Sequence, residues 1–363
     1  MARARPKRGL LSPALAAVLT ACSGESGTDP QPGPLAGRAF VVNSLAGTLS
    51  IVGLTADGEL EAQNDVVELG AGANAVTLAV GEGVVAVPTQ TSRLLVFDEA
   101  TLARRCSAAL PPGSSPQGVA IAGGDAFVTL LVSGELARVD LATCEVEQVG
   151  PVGASPADVE VLGETLLVVV GNIDLSTGAN PPPRIGESYV AFVDALTLEV
   201  RDTVGTGGFN AQFAALDRTG DLLVVNTGDF GQRNSSLVVL DPIARRRRSG
   251  PVPIGDSAAD LAVGPDNLAY VTSFSDGLYA FDATAGRVLR GPANPLSADS
   301  AGLHRGSSGV AVDRAGNVLS VYFGDFVTPG KVFLFDAGQT LSDSVRVGVG
   351  PFGAAFETSA RPR

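Results

Sequence analysis

Ala258-Ala259-Asp260-Leu261-Ala262-Val263, Leu268-Ala269-Tyr270-Val271-Thr272, Gly277-Leu278-Tyr279-Ala280-Phe281-Asp282 and Gly286-Arg287-Val288-Leu289 follow one another within a single stretch of the chain. Each run is short, and Gly, Asp, Asn and Ser separate the runs. Apolar side chains alternate with period two, the pattern of four antiparallel strands joined by tight turns. The module returns about every 40 to 54 residues along the sequence, which marks a repeat architecture.

The third run aligns the copies. It reads Gly47 to Val52, Ser92 to Asp98, Gly134 to Asp140, Ser188 to Asp194, Ser235 to Asp241, Gly277 to Asp282 and Gly330 to Asp336. Seven copies predict seven four-stranded sheets. Six of them end in Asp (98, 140, 194, 241, 282, 336), and a carboxylate there can accept backbone N–H groups and fix the following turn. Phe127-Val128-Thr129, Val224-Val225-Asn226 and Tyr270-Val271-Thr272 precede strands ending in Asp. In this they resemble the YVTN family of β-propeller repeats. The resemblance covers roughly residues 38 to 357 and implies an all-β, seven-bladed β-propeller; it carries over no catalytic residue.

First strands are expected at Ala75-Val76-Thr77-Leu78, Gly118 to Ile121, Asp158 to Val161, Gln212 to Ala215, Asp260 to Val263 and Gly309 to Val312. No such run precedes Phe40, whereas an unmatched copy, Pro351 to Phe356, ends the chain. Pairing of that copy with Phe40 to Asn43 closes the ring and removes an exposed edge. Alternation then turns Ala75, Gly118, Asp158, Gln212, Asp260, Gly309 and Gly353 toward a central channel, with Glu160 deeper. Asp158, Glu160 and Asp260 could hold a cation through oxygen ligands, Ca²⁺ in the first instance. The alternative is a water-filled channel with solvated carboxylates.

The N-terminus reads as an address. Arg3, Arg5, Lys7 and Arg8 precede an apolar segment from Leu10 to Leu19, which ends in Leu19-Thr20-Ala21-Cys22. A basic start, a short apolar run and small residues before a cut describe an export signal. The last four residues resemble a bacterial lipobox, which implies lipidation of Cys22. Ser23 follows instead of an Asp that would retain the protein at the inner membrane, so an outer-membrane location is expected, on its periplasmic or surface side. Residues 1–21 are then a signal peptide, 22–37 a flexible tether, 38–358 the propeller and 359–363 a disordered tail. In an exported chain Cys106 and Cys144 can form a disulfide; two free buried thiols are the competing arrangement.

The formal charge of −13 repels phosphate backbones and argues against nucleic acid as a partner. There is no Trp and one His, and no Cys-x-x-Cys-His, which weakens quinone, zinc, copper and haem readings. The run Arg245 to Arg248 is expected to be a solvated edge. Three long loops join second to third strands: Asn172 to Glu187, Thr227 to Asn234 and Gly324 to Pro329. They place Asp174, Asp229, Phe230, Arg233, Asp325 and Phe326 on one face as candidate ligand-binding residues. The expected role is a monomeric, lipid-anchored, non-catalytic binding or scaffolding module that recognises a protein, peptide or glycan at the cell envelope. The alternative is a hydrolase resembling the bacterial propeller lactonases, with His304, Arg305, Asp229 and Arg233 in acid–base and oxyanion roles.

Overall fold

The computed structural model describes residues 36–55, 59–296 and 306–358. They form seven antiparallel sheets, the blades of a β-propeller. In blade six, Ala258–Val263, Leu268–Ser273, Gly277–Asp282 and Arg287–Arg290 run from the axis to the rim. The other blades repeat this order.

Alternation along each strand sends successive side chains to opposite sheet faces, and each face packs against a different neighbour. In blade one, Phe40 and Val42 join a core with Val85 and Val87 of blade two. Ala39 and Val41 join one with Leu319 and Val321 of blade seven. The hydrophobic core is therefore a set of inter-blade layers arranged around the axis. Aliphatic Val, Leu and Ala fill most of them, in keeping with an aromatic content of 5%.

The C-terminal strand Pro351–Phe356 pairs antiparallel with Ala36–Asn43. Phe40 faces Ala355 and Val41 faces Ala354. Beyond the strand, the Arg38 guanidinium bonds Glu357 at 3.0 Å and donates to the Glu99 carbonyl of blade two at 2.8 Å. The Thr358 N–H reaches the Glu99 carboxylate at 2.6 Å. Arg38 is only 7% exposed and Glu99 1%, so this part of the latch is screened from water.

The aspartates ending the third strands hold turns. Asp98 accepts from the Ala100 and Thr101 N–H groups, Asp140 from Ala142 and Thr143, and Asp194 from Leu196 and Thr197. Cys106, in the outer strand of blade two, is bonded to Cys144 in the turn of blade three, with Cα atoms 6.2 Å apart. The arginine run is more engaged than its sequence suggests. Arg245 pairs with Asp202 and Arg247 with Glu187, both of blade four, while Arg248 holds Asp221 and Asp241.

Candidate functional site

Register shifts in the first strands decide what faces the axis. Pairing skips one residue between Pro156 and Asp158, between Ala211 and Phe213, and between Ser307 and Gly309. Similar shifts occur at Pro116/Val119 and Ala258/Leu261. These are β-bulges, which re-aim side chains. Strict alternation is broken by them, and two expected channel positions move. In blade five the residue in register with Asp158 is Phe213, and Gln212 is the bulged residue before it. In blade two the paired strand is Ala79–Gly81, so Thr77 takes the channel position, while Ala75 is buried in the core between blades one and two.

Two cavities result. The first, of about 580 Å³, follows the first strands along the axis and is lined by Asp158, Glu160 and Asp260. Asp158 accepts from the Val159 N–H and, across the blade junction, from Ala214 N–H at 2.9 Å. Asp260 accepts from Leu261 N–H and from Val310 N–H of blade seven at 3.0 Å. Each thus ties its own first strand to the next. Burial pushes Asp158 up to about 6 and Asp260 up to about 7 against the backbone bonds that favour ionisation. Glu160 is pushed up to about 8 by burial and by the neighbouring Asp158 charge.

The three carboxylates are not brought together as a ligand set: among the described residues no group of three or more His, Cys, Asp or Glu side chains could hold a metal ion. A cation bound to Asp158 or Asp260 would compete with the backbone bonds that join adjacent blades. At other junctions glycine permits the close approach. A Cβ on Gly118 would stand 2.6 Å from the Ala157 carbonyl oxygen, and one on Gly353 2.7 Å from that of Val76.

The second cavity, of about 350 Å³, opens on the looped face. The bulge residues Gln117, Gln212, Ala259 and Phe352 line it, together with Phe230, Phe274, Leu175 and Pro182. The sequence reading missed this cavity, because period-two alternation assigns no side chain to the mouth. The bulges are what send side chains there.

The loop residues divide sharply between structural and available. Asp174 caps the 3₁₀ turn Leu175–Thr177 and Asp325 accepts from Val327 and Thr328, so both shape their own loops. Asp229 pairs with Arg184, whose guanidinium also lies 3.7 Å from the Phe209 ring centroid. Arg233 bonds Asp276 of blade six at 3.1 Å. Asp229 and Arg233 are thus tied to different loops and do not act as a pair. Phe230 and Phe326 remain exposed, at 50% and 69%. His304, Arg305 and Cys22 lie outside the described residues.

No protein-family model and no curated protein matches the chain. Solved structures do. Hydrazine synthase of Kuenenia stuttgartiensis superimposes with a TM-score of 0.65 at 16% identity, over 77% of this chain and 88% of that one. A quinoprotein alcohol dehydrogenase-like protein of Bacteroides thetaiotaomicron gives 0.64 at 14% identity, over 88% of this chain and 78% of that one. Such identities establish the β-propeller fold and nothing about activity.

Proposed function

We propose that the chain is a non-catalytic binding or scaffolding module, related to the YVTN repeats and anchored by a lipid on Cys22 to the outer membrane. The observation that carries the binding role is the mouth cavity. It is concave, largely apolar and edged by a few amides, the composition of a ligand site. Asp229 and Arg233 act as ties between loops, which leaves Phe230 and the bulge residues as the apolar surface presented to a ligand.

A photoreactive residue placed at Phe230 should form an adduct with an envelope component, whereas one at Leu196, on the turns of the opposite face, should not. Equal labelling from both positions would remove the looped face as the site. The anchor is tested separately. Cys22→Ser should move the protein from the membrane to the soluble fraction, and unchanged membrane association would overturn the lipid assignment.

A further inference from the structure

Resting on the looped-face reading above, we infer that the mouth cavity receives an aromatic side chain from an extended peptide segment of a protein partner, with a basic residue beside it. The aromatic half of the argument comes from the wall. Phe274 and Phe352, which line the cavity, pack 5.6 Å apart, and outside the lining Phe323 lies 5.8 Å from Phe352 and meets Phe326 at 4.8 Å, all tilted or edge-on. An incoming ring extends this array with the geometry aromatic pairs prefer. A volume of about 350 Å³ lies at the small end for ligand sites and suits one ring with its attached backbone.

The peptide half comes from the amides. Gln117 Nε2 donates to Gln212 Oε1 at 3.2 Å, Gln212 to Asn210 Oδ1 at 2.5 Å, and Asn210 to the Gly228 carbonyl at 3.1 Å. The chain of bonds begins at Gln117, and among the described residues nothing donates to its Oε1. A peptide N–H supplies that donor. A bilayer would need neither a closed pocket nor a polar strip within it.

Charge completes the assignment. Hydrogen bonds from their own loops hold the Asp174 and Asp325 carboxyls below the usual range, and neither pairs with a cationic side chain among the described residues. Asp174 sits between Ile173 and Leu175, both at the cavity wall. The ionised Asp174 carboxylate beside an apolar pocket favours a ligand with Lys or Arg next to its ring.

The absence of Trp from the chain makes the test direct, since all Trp emission belongs to the probe. An acetylated, amidated Gly-Lys-Trp-Gly peptide added to the purified full chain should show a blue-shifted emission that saturates. Replacing its Trp with Ala or changing Phe230→Ala should each weaken binding about tenfold or more, the scale of an interface anchor. The Ala probe is read by competition against the Trp peptide. Gln117→Leu should also weaken binding, and Leu196→Ala should not. Replacing the peptide Lys with Glu should weaken binding at low salt, by less in Asp174→Asn. Binding indifferent to the ring or to Phe230 overturns the inference. So does Phe230-dependent binding to phosphatidylcholine–phosphatidylglycerol vesicles without peptide binding, although the looped face would then survive as the binding surface. Silence from both probes, with no adduct at Phe230, would sink both readings.

Discussion

A carboxyl group that faces the propeller axis loses hydration, and the loss falls on its charged form. Burial pushes Asp158, Asp260 and Glu160 up to about 6, 7 and 8 from ordinary values of 3.8, 3.8 and 4.5. Folded-state values above unfolded ones mean that these groups contribute full stability below about pH 4. The contribution is lost as pH rises through 6 to 8. The turn carboxylates Asp140, Asp194 and Asp241 are shifted downward by backbone hydrogen bonds, so their contribution is lost on acidification. The melting temperature should therefore peak in mildly acid solution and decline toward pH 8. Glu160→Gln should flatten the alkaline decline without changing the acid limb, as read by calorimetry between pH 3 and 9; an unaltered alkaline slope would refute the assignment. Sequence could mark these acids as exceptions among small channel residues. It could not show that Asp158 and Asp260 bond Ala214 and Val310, because those partners lie about 50 residues further on and meet them only when blades pack. Gly309 makes the same point from the opposite side. A Cβ there would overlap the Phe352 carbonyl, so Gly309→Ala should destabilise by roughly 1–3 kcal/mol, the usual cost of overpacking, measured by denaturant unfolding.

Strands, by contrast, were written plainly. Tyr270-Val271-Thr272 and its counterparts carry β-branched residues, period-two alternation and flanking turn residues together, and such agreement between local signals fixes an element. The aspartates closing the third strands were legible for the same reason, since cause and effect lie within four residues of each other. Bulges were not. Inserting one residue changes which side chains face the axis without altering composition, so Gln212 was placed in the channel and Phe213 was missed. The mouth cavity followed from the bulges and was lost with them. The disulfide is an element-scale device as well, joining the outer strand of blade two to the turn of blade three across 38 residues. Loop-closure entropy gives such a bridge about 4 kcal/mol. The Cys106→Ala, Cys144→Ala double variant should lose stability on that order in denaturant titrations, and a loss under 1 kcal/mol would mean that inter-blade packing alone sets the spacing of these blades.

Closure is a property of the whole ring, and it concentrates stability at one seam. Every inter-blade core but one joins sheets that are consecutive in sequence; the layer between blades seven and one is the exception. It depends on Pro351–Phe356 completing the first blade. Removing residues 349–363 takes away that strand, the Glu357 and Thr358 partners of Arg38 and Glu99, and the Phe352 wall of the mouth cavity. It also leaves the edge of Ala36–Asn43 unpaired, a template for association with other chains. Tail deletion should therefore abolish cooperative unfolding and yield oligomers by light scattering, well beyond the effect of an ordinary terminal truncation. Arg38→Met separates the two contributions, because it keeps the strand and removes only the guanidinium from the latch. The Arg38 N–H still donates to the Glu357 carboxylate at 3.1 Å in that variant, so losing the charge-assisted bonds of the guanidinium should cost about 1.5–3 kcal/mol. The ring should then remain monomeric but unfold at lower denaturant, with its seam amides exchanging first. A tail-deleted chain that stayed monomeric and melted cooperatively would mean that the first blade holds with three strands, and the seam would lose its special place in the fold.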